Sequence, residues 1–258
     1  MHCDCHVHTR FSVDSHEEME RHCQHAIARG LTHLCFTDHI DWDPHDRGCG
    51  YYDADGYFDA LHRVQDRYAD RLTVLAGVEF AEPHRYQREF EAVRARPYDY
   101  ILASMHWIEG QFPLALLQGG KSVPQIFALY WDEMAQLVQT DGIDAVAHFD
   151  FPKRYLKALV LPQTQVCAIL AEMVRRDIAL EINTSSLRQG GAEAMPGPRV
   201  LQWYAQQGGR HVVTGSDAHT AQDVGSHILQ MEALARQLGL LPGAFVNHRW
   251  TEGTQHGL

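Results

Sequence analysis

Short apolar runs alternate with longer amphipathic stretches along most of this chain. Seven runs read as strands: "MHCDCHVH", "THLCFTDH", "LTVLAGVEF", "YDYILASMHW", "DAVAHFDF", "IALEINTSS" and "RHVVTGSDAH". Between them the spacing predicts helices over 15–29, 57–70, 83–95, 123–139, 162–176, 197–207 and 221–238. With no linker or low-complexity tract between units, the pattern predicts one α/β domain over 1–258 with a parallel sheet. "GAFVNHRW" adds a candidate small strand near the end, and "TEGTQHGL" reads as a loose tail.

The polar residues choose the form of that sheet. His6 and His8 end the first run, Asp38 and His39 the second, Glu79 the third and His106 the fourth. His148 and Asp150 end the fifth, Asn183 the sixth, and Asp217 with His219 the seventh. In an open sheet the outer strands lie too far apart to share a site, whereas a barrel gathers strand ends around one mouth. The expectation is therefore a distorted (β/α)7 barrel, with parallel strands inside and helices outside. Within "DCHVHTRFSVDSH", strand alternation puts Asp4, His6 and His8 on one face and Cys3, Cys5 and Val7 on the other. Ser15 and Glu18 read as a capping box opening the first helix.

The chain has 258 residues, 45% of them hydrophobic, enough for a sizeable core in one large domain or two small ones. No apolar run approaches the roughly 18–20 residues of a membrane span. "MHCDCH" carries neither a basic start nor an apolar signal region, so a cytoplasmic protein is expected. A formal net charge of −11 argues against nucleic acid as a partner, while a small anion held by a few local cations stays open. The six cysteines are scattered without C-x2-C pairs and read as reduced thiols. Eighteen histidines are more unusual. His22, His25 and His62 fall inside helical patterns and read as ordinary surface or half-buried side chains, and His16 and His45 as solvent-facing.

The candidate donors are His6, His8, Asp14, His39, Glu79, His106, His148, Asp217 and His219. Nine imidazole and carboxylate groups exceed what one tetrahedral ion can use. They suit two or three ions with a bridging carboxylate, the recurring arrangement for phosphate chemistry. The lack of thiolate points to catalytic metal, with zinc, iron or manganese all compatible.

The motifs "DCHVHTRFS", "FTDH", "GVEF", "SMHW", "AHFD" and "GSDAH", in that order along the chain, resemble the PHP (polymerase and histidinol phosphatase) family, its phosphatase branch in particular. The resemblance implies a trinuclear centre in a distorted (β/α)7 barrel. It implies that His6, His8, Glu79 and Asp217 hold one ion, and that Glu79 bridges to a second held by His106 and His148. Asp14, His39 and His219 would hold the third. Glu79, Asp217 and His219 are also the residues expected to act in the reaction itself. The implied activity is hydrolysis of L-histidinol phosphate to L-histidinol and phosphate, with a metal-activated water as nucleophile and a small phosphomonoester as the only partner expected. Another small phosphate, such as a nucleotide, or a metal-binding regulatory role without catalysis, would use the same donors.

Asp4 and Asp38 flank donors and are expected to orient an imidazole from behind. Asp150 reads equally as such a support or as a helix cap. Arg188 in "NTSSLRQG" and Arg154 in "FPKRY" follow strands six and five and are candidate phosphate clamps, Arg188 the stronger by its likeness to the family pattern. Lys121, Lys153 and Lys157 are weaker candidates. His84 is expected to face the substrate. Trp42, Trp107, Phe112 and Tyr155 are candidates to wall an imidazole.

Overall fold

A computed structural model describes residues 1–252. Ten strands form in chain order: β1 (Cys3–Val7), β2 (His33–Phe36), β3 (His39–Ile40), β4 (Thr73–Ala81), β5 (Tyr100–Ser104), β6 (Ala145–Val146), β7 (Ala179–Asn183), β8 (His211–Gly215), β9 (Leu241–Val246) and β10 (Arg249–Glu252). Strands β1, β2, β4, β5, β6, β7, β8 and β9 pair in parallel in that order. The ring closes where β1 meets the exit of β8: Asp217 N donates to His6 O at 2.8 Å and His8 N to Ala218 O at 2.9 Å. The result is the distorted (β/α)7 barrel. β9 joins at its base beside β8, and β10 folds back on β9 as an antiparallel hairpin. "GAFVNHRW" thus supplies parts of two strands. Thr251 and Glu252 belong to β10, and the rest of the expected tail, 253–258, lies outside the described residues.

The strands are apolar because both faces are covered. Leu75, Leu102, Ala179, Val213 and Phe245 fill the inside of the ring, and a larger layer lies between ring and helices. Tyr57, Phe90, Tyr130 and Trp131 are buried in that outer layer. The main helices are Met19–Ala28, Ala54–Tyr68, Gln87–Arg94, Val123–Leu137, Gln163–Arg175, Pro198–Gln206 and Ile228–Gln237, close to the seven expected. Short helices at Pro113–Gln118, Lys153–Leu156 and Ser185–Arg188 shape the loops above the barrel mouth. None of the described helices is long and apolar enough to cross a membrane.

Three local expectations are corrected. The register of β1 against β2 shifts between Asp4 and Val7, and this irregularity breaks the simple alternation. Cys3 and Cys5 pack inside the ring and Val7 outside it, while Asp4 departs from His6 and accepts from Ser216 N and Gly225 N at 2.8 and 2.7 Å. Glu18 is the N-cap of the first helix, without a side-chain capping bond. Ser15 instead donates toward His219 O at 2.9 Å, so its hydroxyl fastens two loops at the mouth. His22 is fully buried rather than at the surface, and burial pushes its imidazole down to about 4.

Candidate metal centre

Glu79, near the end of β4, lies at the middle of the mouth and is fully buried. Its Oε2 sits 3.2 Å from His6 Nε2, 3.5 Å from His8 Nε2 and 2.9 Å from His39 Nδ1. Its Oε1 sits 2.9 Å from His148 Nε2 and 3.5 Å from His106 Nε2. Asp217 Oδ1 is 3.4 Å from His8 Nε2 and 3.6 Å from His219 Nδ1. Asp14 Oδ2 is 3.1 Å from His219 Nε2 and 3.7 Å from His39 Nε2. All nine candidate donors therefore meet at one place. Two of them, His148 and Asp217, have left-handed backbones (φ 23° and 55°), a strained conformation for such residues at strand exits.

The chemistry of the donor set fits bound cations. Glu181 Oε1 accepts from His6 Nδ1 at 2.6 Å, leaving a lone pair on His6 Nε2. The Ser12 hydroxyl donates to Asp38 at 2.8 Å and so accepts from His8 Nδ1 at 3.1 Å, which leaves the lone pair of His8 on Nε2. These two nitrogens face each other at 2.9 Å. Two lone pairs so close repel unless positive charge lies between them. Burial alone would raise the carboxyls of Glu79 and Asp217, yet the surrounding imidazoles, and Arg154 for Asp217, hold both well below the carboxylate range. Against burial, Glu79 in turn raises His39 to about 9. In the absence of a metal ion, protons on such imidazoles balance the carboxylates, and bound cations can take the place of those protons.

The supports behind this cluster differ from those expected. Glu181 is the principal one, fully buried on β7, with Oε2 accepting from His148 N at 2.6 Å. It is absent from the sequence-derived candidates. Its signal was a lone charge inside an apolar run, which burial tolerates only when paired. Gly215 on β8 makes room for it, since a Cβ there would collide with both Glu181 Oε1 and the His6 side chain. Asp38 does act on an imidazole, through Ser12. Asp4 orients no imidazole and instead ties down the Ser216 and Gly225 amides. Asp150 pairs with Lys153 Nζ at 2.7 Å. Asp41, also unforeseen, forms a further donor group with His39 and His106.

A cavity of about 430 Å³ opens above the cluster. Trp107, Phe112 and Tyr155 line it as expected, whereas Trp42 lines a separate smaller cavity. Arg154 lines it too, donating to Asp217 Oδ2 at 2.8 Å and to the Ser185 hydroxyl, while its buried Nε has no hydrogen-bond partner. Of the two candidate arginines, Arg154 is the one in the cavity lining. Arg188 lies outside the cavity lining and spends its guanidinium on Ser216 O at 2.7 Å, Asp217 O at 3.1 Å and Asp223 Oδ1 at 3.3 Å. His84 is likewise outside the lining, with Nε2 2.8 Å from Glu133 Oε2. His45 is exposed, as expected, yet reaches the rim of the cavity.

A polar cluster of this kind at the C-terminal mouth of a seven-unit barrel defines a metal-dependent hydrolase fold, and the chain belongs to the PHP domain family, whose model matches residues 4–185. Among its relatives, the histidinol-phosphatase of Lactococcus lactis is 25% identical over 252 residues, covering 92% of this chain and 91% of that protein. A probable histidinol-phosphatase of Deinococcus radiodurans is 29% identical over 252 residues, covering 92% of this chain and 94% of that one. The crystal structure of the Lactococcus lactis histidinol phosphate phosphatase, complexed with zinc, L-histidinol and phosphate, superposes with a TM-score of 0.86 at 25% identity. It covers 97% of this chain and 98% of that one.

Proposed function

We propose that this chain is a metal-dependent phosphomonoesterase that hydrolyses L-histidinol phosphate to L-histidinol and phosphate, acting in the cytoplasm. The observation that carries the reading is the meeting of nine donors with a cavity-facing arginine in a barrel so similar to one that binds zinc, L-histidinol and phosphate. His6, His8, Glu79 and Asp217 would hold one ion, Glu79 with His106 and His148 a second, and Asp14, His39 and His219 a third. Two to three ions of zinc, iron or manganese would supply Lewis-acid chemistry there, acidifying a water and neutralising phosphoryl charge.

The chain's own side chains do the rest. Arg154 lines the cavity and offers its guanidinium to phosphoryl oxygens, and its charge-assisted hydrogen bonds strengthen as negative charge develops. Asp217 holds that guanidinium in place, and Arg188 holds the Asp217 backbone. Glu79, Asp217 and His219 form the wall facing the phosphoryl group. Trp107, Phe112 and Tyr155 exclude water and offer flat apolar surface to an imidazole. The test is a panel of L-histidinol phosphate, nucleotides and sugar phosphates. The expected result is a kcat/KM for L-histidinol phosphate at least about tenfold above the others, with histidine prototrophy restored to a host lacking this phosphatase. A nucleotide or sugar phosphate leading the panel, with failed complementation, overturns the substrate assignment.

A further inference from the structure

The loop after β3 carries three aspartates, Asp41, Asp43 and Asp46, and they are not equivalent. Asp43 accepts from His45 N and from the Tyr86 hydroxyl. Asp46 accepts from Gly48 N at 2.7 Å and from Trp107 Nε1 at 2.8 Å. Both are spent on shaping the loop and fixing the aromatic wall. Asp41 is 5% exposed and lines the cavity, and its carboxylate is engaged only loosely. Its one ionic contact is His106 Nδ1 at 3.9 Å. The loop is nevertheless built around it, since a Cβ at Gly48 would fall 2.5 Å from Asp41 Oδ2.

A carboxylate that lines a cavity with only a long contact to His106 keeps acceptor capacity for a cationic group that enters there. We propose that Asp41 receives the ammonium group of an amino-bearing phosphomonoester and so selects for that substrate class. The inference rests on the phosphatase reading above and deepens it. Position supports it. Asp41 stands at the edge of the donor cluster, on the far side of His106, which meets Asp41 through Nδ1 and Glu79 through Nε2. In L-histidinol phosphate the amine is borne two carbons from the ester oxygen, and the imidazole continues outward. With the phosphoryl group at Arg154 and the cluster, the amine falls toward Asp41 and the ring toward Trp107 and Phe112.

The experiment compares L-histidinol phosphate with its amine-free analogue, 3-(imidazol-4-yl)propyl phosphate, in wild type and Asp41→Asn. Binding of L-histidinol and of the amine-free alcohol is followed by calorimetry, and metal content by elemental analysis. Wild type should favour the amino substrate by about tenfold or more, the scale of a charge-assisted hydrogen bond. D41N should lose most of that preference, chiefly through KM, with the alcohols showing the same loss of discrimination. Equal losses on both substrates, or lost metal, overturn the inference in favour of a role in orienting His106 or holding an ion. Wild type without amine preference overturns it with no mutant needed, while L-histidinol phosphate can still lead nucleotides in the panel. A nucleotide leading the panel instead removes the L-histidinol phosphate assignment and this inference together, while the phosphatase activity stands.

Discussion

Glu181→Gln tests whether the donor cluster depends on the carboxylate behind it. Glu181 is fully buried, with one oxygen accepting from His6 Nδ1 and the other from His148 N, each at 2.6 Å. Glutamine keeps the shape but replaces one of the two acceptors with an NH2 group. Whichever way the amide turns, a buried donor then faces a donor, at about 1–3 kcal/mol. Loss of the negative charge also makes His6 a poorer ligand, and partners of this kind are worth about 10–100-fold in metal affinity. The assay is metal retention against a graded chelator series, with the thermal midpoint of metal-free protein measured alongside. We expect both to fall in E181Q, with kcat/KM recovering in part when metal is supplied in excess. Wild-type metal retention together with a wild-type midpoint would refute the view that Glu181 orients the donors.

Three further outcomes follow from the same geometry. Glu79→Ala should deplete two ions together, read by elemental analysis, because its two oxygens face different imidazole groups; loss of a single ion would contradict the bridging role. Arg154→Ala should lower kcat/KM for every phosphomonoester by about 10–100-fold with metal content retained, and unchanged kinetics would return it to a purely structural part. Glu133 gives a pH prediction away from the cluster: burial would raise its carboxyl, but hydrogen bonds from His84 and Arg85 outweigh this and hold it at about 2. Its folded value is depressed, so its contribution, about 1 kcal/mol once solvent screening of a half-buried pair is counted, is present above pH 4.5 and lost as pH falls toward 2. The stability gap between wild type and E133Q, measured without metal, should close over that window.

How much of this was legible in the chain depends on where each residue's partner lies. Most of the donors could be read because they end or follow an apolar run, and parallel strands in a closed ring bring every such exit to one mouth; Asp14 instead sits in the loop between β1 and the first helix. The existence and order of the main helices followed from periodicity for the same local reason, although the first and last begin at Met19 and Ile228 and not at 15 and 221. Arg154 and Arg188 could not be ranked that way. Both follow strand ends, and only tertiary packing turns one toward the cavity and the other onto the Ser216 and Asp217 carbonyls. Ser15 and Glu18 satisfy the capping pattern, but the His219 carbonyl competes for the hydroxyl from the far end of the chain. The face change along β1 arises from a register shift against β2, which one strand's own residues do not reveal.

The closure of the barrel by His6 and Asp217 has a consequence for a chain still being made. Donors on β1 and those that follow β8 become neighbours only when β8 docks beside β1. A nascent chain ending at residue 185 would already contain the segment matched to the PHP domain, yet it would lack Asp217, His219 and the bonds that seal the ring. Bringing such distant segments together is among the slower steps in folding. Assembly of the donor cluster therefore waits until the segment that carries β8 has left the ribosome.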